Sequence, residues 1–180
     1  MRGVFPELDT ERLRLRQVRP GDAGALLAHY GDAEMLRYMD FGALTSLAQA
    51  RGIVEWGLYL WEVGEGILWV IEERQSGALA GTLTYEYRAG HRAQITYDLA
   101  RAYWGRGYMA EAVRRTLPYL FEEAGITRIE SLVHVENVRS ARVLAKVGFR
   151  VEGLQEKQSC IGGVMCDMLV CALPKEDWQR

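Results

Sequence analysis

The chain has 180 residues, 49% hydrophobic and 26% charged, with a formal net charge of −2. Such a balance fits one globular domain, residues 1–180, with a sizeable core. A net charge this small excludes a global electrostatic footprint for nucleic acid or an anionic membrane surface, and no apolar run is long enough to span a bilayer.

The opening Met1-Arg2-Gly3-Val4-Phe5-Pro6 has no apolar signal core, so the cytoplasm is the expected location. Cys160, Cys166 and Cys171 are an odd set without Cys-x-x-Cys spacing, and His29, His91 and His134 are scattered. Neither a disulfide framework nor a metal site is expected; the thiols read as buried or half-buried.

In chain order, Thr10 to Arg16 alternates apolar and charged residues, as a half-buried strand does. Pro20-Gly21-Asp22 is a turn, and Asp22 suits the cap of a helix through Ala25, Leu26, Leu27 and Tyr30. Asp32 to Tyr38 reads as a short second helix. Ser46 to about Tyr59 reads as a third, broken by Gly64-Glu65-Gly66. Ile67–Glu72, Leu79–Tyr87 and Ala93–Leu99 read as an antiparallel meander joined by glycine turns. A long helix then buries Ala110, Val113, Leu117, Leu120, Phe121 and Ala124 at helical spacing. A strand at 129–135, a short helix from Val138 to Lys146 closed by Gly148-Phe149, and a last strand at 164–173 complete the pattern. The fold class is mixed α/β: a mostly antiparallel sheet flanked by helices.

Two local features carry chemistry. Trp104-Gly105-Arg106-Gly107-Tyr108-Met109-Ala110 lies between a strand and a helix. Glycines there let backbone N–H groups approach an anion, and the helix N-terminus adds partial positive charge. A bare Gly-x-Gly is also a common tight connection. Arg114 and Arg115 on the early helical turns fit a nearby anion or plain surface. Asn137 and Ser140 open the later helix, either as a cap and its neighbour or as polar groups facing a ligand.

Together, Trp104 to Ala112, then Glu136-Asn137-x-x-Ser140, then Lys146-Val147-Gly148-Phe149 resemble the GNAT superfamily of N-acetyltransferases. The opening Thr10-Glu11-Arg12-Leu13-x-Leu15-Arg16 and the ending Asp167 to Trp178 resemble the branch with the ribosomal-protein N-terminal acetyltransferases (RimJ/RimL type). The resemblance spans about Leu8 to Trp178.

It implies acetyl-CoA as acetyl donor, with its pyrophosphate on Trp104, Gly105, Arg106, Gly107, Tyr108, Met109 and Ala110. Its pantetheine arm would run between two splayed strands ending near Leu99 and Val135. A bulge near Leu99 would offer a backbone N–H to the thioester oxygen. Asn137 would hold the arm, and Ser140 would hydrogen-bond the leaving sulfur. The implied reaction is direct attack by a primary amine within a ternary complex. No metal is needed.

Gln94 stands where the branch usually has a glutamate, and a glutamine is no base, although it can position a water. Asp98 and Glu86 are the candidate bases; each also reads as a structural or surface carboxylate. Met109 stands where Gly or Ala is usual, and Cys171 where a tyrosine often lies. The acceptor is a protein N-terminus or a small-molecule amine. Tyr38, Phe41, Trp56, Trp69, Tyr85 and Tyr87 are candidates to line its cleft, at least half of them expected in the core, with Asp40, Glu55 and Glu86 as a negative rim. Homodimers are common in this family, so a second copy is an implied partner. The alternative is an acetyl-CoA-binding sensor or partner-binding protein with little turnover, which Gln94 favours.

Overall fold

The computed structural model describes residues 3–179. Eight strands form one sheet: β1 (Leu8–Asp9), β2 (Leu13–Gln17), β3 (Gly66–Glu73), β4 (Leu79–Arg88), β5 (Arg92–Leu99), β6 (Arg128–His134), β7 (Arg150–Ile161) and β8 (Val164–Pro174). Four α-helices accompany them among the described residues: α1 (Ala23–Tyr30), α2 (Leu47–Val63), α3 (Tyr108–Pro118) and α4 (Val138–Lys146). The strand order is β1-β2-β3-β4-β5-β6-β8-β7.

Alternation along β3 explains the layers. Leu68 and Val70 pack with Leu26, Tyr30, Ala50 and Val54 of α1 and α2. Ile67, Trp69 and Ile71 face the other way, into the core with Val113, Leu117, Phe121 and Leu144. The sheet is thus filled on both faces by helices. Trp69 is fully buried, and its indole N–H donates to the Pro6 carbonyl at 2.7 Å.

All adjacent strands run antiparallel except β5 and β6, the parallel pair joined through α3. β5 and β6 are paired only at Arg92↔Arg128, Ala93↔Ile129 and Gln94↔Glu130. Beyond Gln94 the strands part, whereas β6 stays paired with β8 to His134. This gap positions the site.

Several expected elements differ. Asp32–Tyr38 is a series of turns, not a helix. The Asp32 carboxylate accepts from the Glu34 and Met35 N–H groups and pairs with Arg101 at 2.6 Å, so local side-chain bonds outcompete a helical ladder. Asp22 does not cap α1. Its carboxylate accepts from the Arg16 guanidinium at 2.8 and 2.9 Å and from the Arg19 N–H at 2.7 Å. Burial pushes the Asp22 carboxyl up, but Arg16 and the Arg19 N–H together hold it below its ordinary value. The first long strand begins only at Leu13, because Thr10 and Leu13 close a turn on each other. β7 is a strand that the sequence pattern does not predict. It is exposed nearly end to end and carries two register shifts, so no buried face imposes a hydrophobic period. Cys171 is buried, Cys166 half-buried and Cys160 exposed.

The long helix buries Ala110, Val113, Leu117, Leu120 and Phe121 as its spacing demands. It changes to a π-helical turn at Tyr119–Glu123 after Pro118, which has no N–H to donate to the previous turn. Its start is tied to the N-terminal segment. Glu111 accepts from Thr10 Oγ1 at 2.6 Å, from Arg12 Nε at 2.7 Å and from the Arg12 N–H at 3.2 Å. Burial raises the Glu111 carboxyl, yet Thr10 and Arg12 hold it below the usual value. A folded value below the unfolded one adds stability above about pH 4 and loses it as pH falls through the folded value. Thermal melts at falling pH should therefore show a loss that Glu111→Gln removes. The pair is partly exposed, so the loss should stay below about 1 kcal/mol.

No described helix is long and apolar enough to cross a membrane.

Candidate active site

The parting of β5 and β6 opens a cleft of about 850 Å³. Its walls are β5 from Gln94 to Leu99, β6 from Ser131 to His134, the turn at residues 103–110, α4, and the loop at Glu34–Met39.

Peptide groups line one wall. The Ala100 N–H donates to the Ala80 carbonyl of β4, so alternation turns the peptide groups of Ile95, Tyr97 and Leu99 away from β4 and toward the gap. Ser131 Oγ donates to the Ile95 carbonyl at 3.3 Å, and the Trp104 indole N–H donates to the Leu99 carbonyl at 2.6 Å. The expected bulge near Leu99 is not a register shift: β4 and β5 pair without a break from Gly81↔Leu99 to Arg88↔Arg92. It is the departure of β6 that frees the Leu99 N–H.

The turn after β5 leaves backbone N–H groups without acceptors. Gly105 and Gly107 have φ of +75° and +79°, where an L side chain is strained. Gly107 is the N-cap of α3 and offers no side chain, and the first intrahelical bond is Glu111 N–H to the Gly107 carbonyl. The N–H groups of Tyr108, Met109 and Ala110 are left without intrahelical acceptors at the positive end of the dipole. Trp104, Gly105, Gly107, Tyr108, Met109 and Ala110 all line the cleft. Arg106 does not. Its carbonyl accepts from Arg12 at 3.0 Å, and its guanidinium lies 6.0 Å from the Tyr103 ring centre.

Cations come instead from α4. Arg139, Arg142 and Lys146 share one helical stripe and line the cleft, with the Arg139 guanidinium 4.5 Å from the Trp104 ring centre. Their i, i+3, i+7 spacing is the sequence signal that marks this stripe. Arg114 and Arg115 are spent elsewhere, donating to the carbonyls of Lys146 and Asp9.

Asn137 caps α4 by accepting from the Ser140 N–H at 3.1 Å. Gly148, at φ +102°, ends that helix, and the Phe149 N–H returns to the Leu144 carbonyl at 3.0 Å. Asn137 and Ser140 both line the cleft, as do Leu99 and the glycine turn. Tyr97, not singled out in the sequence, reaches across from β5. Its hydroxyl lies 2.8 Å from Ser140 Oγ and 3.1 Å from the Ser140 carbonyl. Burial pushes the Tyr97 phenol well up, so it stays protonated.

Of the two candidate bases, Asp98 lies on the cleft wall with its carboxylate taken. Oδ1 accepts from His29 Nε2 at 2.5 Å and the Thr82 N–H at 2.9 Å; Oδ2 accepts from the Tyr30 and Thr82 hydroxyls at 2.8 Å each. Burial, then the Asp98 charge, pushes the Tyr30 phenol well up and keeps it a donor. Glu86 is not in the cleft wall. It pairs with Arg88 at 3.2 Å, whose guanidinium also meets Gln94 Oε1 at 3.2 Å. Cross-strand pairing places Glu86 beside Gln94, and Arg88 on its own strand draws its carboxylate away.

The residues expected to line an acceptor cleft are also placed differently. Of the six aromatics, Tyr38 alone lines the cleft, its ring 4.9 Å from that of His134. Trp69 and Tyr85 are core, Tyr87 packs against it, Phe41 lies on Tyr30, and Trp56 is exposed on α2. Asp40, Glu55 and Glu86 do not form the rim; the carboxylates of the cleft mouth are Glu34 and Glu136. His134 Nδ1 accepts from the Glu136 N–H at 3.1 Å, which fixes the ring at the end of β6.

Residues 12–150 match the model of the acetyltransferase (GNAT) domain. The uncharacterised N-acetyltransferase YoaA of Bacillus subtilis is 32% identical over 174 residues, covering 96% of this chain and 98% of that protein. The [ribosomal protein uS5]-alanine N-acetyltransferase of Escherichia coli is 31% identical over 88 residues, 49% of this chain and 45% of that protein. A solved structure of Mycobacterium smegmatis RimJ in complex with CoA-disulfide superposes with a TM-score of 0.85 at 27% identity, covering 93% of this chain and 84% of that one.

Proposed function

Since the chain belongs to the GNAT acetyltransferase family and is an N-acetyltransferase, we propose that it carries an acetyl group from acetyl-CoA to the primary amine of a peptide N-terminus. The observation that carries this reading is one cleft holding the uncapped α3 N-terminus, the freed Leu99 N–H and Ser140 together.

The residues present fit the donor. The positive-φ turn at Gly105 and Gly107 leaves open space where side chains would stand: nothing lies within 4 Å of a Cβ at Gly105. A pyrophosphate there meets the N–H groups of Tyr108, Met109 and Ala110, with Arg139, Arg142 and Lys146 alongside. Asn137 and the peptide groups of Tyr97 and Leu99 flank the arm. The thioester supplies an activated acetyl group with a good leaving group. The Leu99 N–H meets the charge that develops on its oxygen, and Ser140 hydrogen-bonds the departing sulfur.

The amine enters past Tyr38 and His134. Glu34 and Glu136 favour its cationic form at the mouth, and its proton leaves there. Asp98 is not its acceptor in this reading, because four donors already occupy the carboxylate oxygens. A peptide N-terminus is supported by what the Escherichia coli relative modifies and by the open, carboxylate-rimmed mouth.

The test is thiol release from acetyl-CoA against a panel of alanine- and serine-ending peptides, polyamines, aminoglycosides and amino acids. Turnover with the peptides is expected. Tight CoA binding without turnover on any acceptor would support the sensor reading that Gln94 favours. Ser140→Ala should lower kcat by about ten- to a hundredfold, the worth of one hydrogen bond to a charged group, with CoA affinity kept. Unchanged kcat would leave Ser140 only a neighbour of the cap.

A further inference from the structure

We propose that Tyr97 is a positioning residue for acetyl transfer: its phenol fixes the Ser140 hydroxyl so that the serine proton points into the cleft at the sulfur. The inference rests on Ser140 standing at the sulfur, as read above.

A serine hydroxyl rotates freely unless something holds it. Early in a helix its usual alternative is to donate back to a preceding carbonyl. Here two contacts hold the residue, and the second competes for its hydroxyl. Asn137 Oδ1 accepts the Ser140 N–H and anchors the first turn of α4. The Tyr97 hydroxyl then sits within hydrogen-bond distance of both Ser140 Oγ and the Ser140 carbonyl.

Tyr97 reaches this point because alternation along β5 turns its side chain to the α3–α4 face, opposite to Asp98. Its ring packs against the main core, so the hydroxyl has little freedom. The buried phenol keeps its proton and acts as a steady donor. The phenol has one proton for two oxygens, the Ser140 carbonyl at 3.1 Å and Ser140 Oγ at 2.8 Å; given to the nearer Oγ, it leaves the serine's own proton to find another acceptor. The cleft side of Ser140 is where the sulfur lies in the proposed reading.

Atoms balance without a proton leaving either hydroxyl. The amine nitrogen bonds to the acetyl carbon, and the carbon–sulfur bond breaks with its electron pair going to sulfur. Both hydroxyls keep their protons: Ser140 hydrogen-bonds the thiolate, and Tyr97 acts only by holding Ser140. The proton released by the amine accounts, through solvent, for the one the free thiol gains.

The probe is CoA itself, titrated while bound by following thiolate absorbance. The thiol should ionise more readily in the wild type than free in solution. Tyr97→Phe keeps the ring and removes only the hydroxyl. It should make the bound thiol about tenfold weaker as an acid, one unit, matching Ser140→Ala, with no further change in the double variant. With an accepting peptide, kcat should fall and KM for acetyl-CoA stay put. A shift in Ser140→Ala but none in Tyr97→Phe would overturn the role of Tyr97 and leave Ser140 standing. No shift in either would remove Ser140 from the sulfur, and this inference with it. CoA affinity equal to wild type in both variants reports intact folding.

Discussion

Gly107→Asp is expected to abolish measurable CoA and acetyl-CoA binding while the chain stays folded. Two effects add. Gly107 holds φ +79°, which a residue with a Cβ adopts at a cost of about 1–2 kcal/mol. The larger effect is charge. A carboxylate there would stand where the pyrophosphate is read to sit, at the cap of α3. Two like charges 4 Å apart repel by up to about 4 kcal/mol near a protein surface. A Cβ at this position also lies 3.8 Å from the Arg12 guanidinium and 4.0 Å from Lys146 Nζ, so the new carboxylate would draw those cations away from a ligand. Calorimetric titration should show at least a hundredfold loss, about 2.7 kcal/mol, with an unchanged circular dichroism spectrum. Gly107→Ala, which carries the strain without the charge, should lose far less. Unaltered affinity in Gly107→Asp would contradict the assignment of the turn.

Asp98→Ala is expected to lower stability by about 3–5 kcal/mol, the cost of removing one member of a buried charged network. His29 Nε2, the Tyr30 hydroxyl and both Thr82 donors would lose their acceptor in a buried site. His29 Nδ1 already has no partner among the described residues, so the ring has nothing else to turn to. At roughly 2–4 °C per kcal/mol for a chain of this size, the melting temperature should drop by about 10 °C. Asp98→Asn separates scaffold from base. It keeps the shape and one acceptor, so it should lower the melting temperature by less and leave kcat within a few fold, measured well below the transition. A loss of kcat by several orders of magnitude with full stability would make Asp98 the base after all.

The sequence reached the glycine turn and the start of α4, which line the cleft, because those signals are local. Gly105 and Gly107 flank a strand-to-helix step, Asn137 precedes a helix whose Ser140 lies one turn in, and Gly148 ends it. Each is readable from neighbours a few residues apart. The wall at Tyr38 and His134 is not local. Tyr38 and His134 are far apart in the chain and meet as ring on ring only when the loop after α1 folds over the end of β6. Asp98 and Glu86 look alike in sequence, two carboxylates on one sheet face, yet one is enclosed by four donors and the other drawn off by Arg88. β7 escaped notice because an exposed strand has no buried face to impose an apolar–polar alternation.

By itself the sequence determined the meander, the glycine turn, α3 and α4, and through their order the acetyltransferase family. Hydrophobic period, positive-φ glycines and caps act over one or two turns, within reach of a linear reading. Only the tertiary structure decided where β5 and β6 part, which peptide groups that frees, and that Tyr97 meets Ser140 across the gap. Those depend on strand pairing and burial between residues tens of positions apart, where packing and unmet hydrogen bonds, not local propensity, select the arrangement.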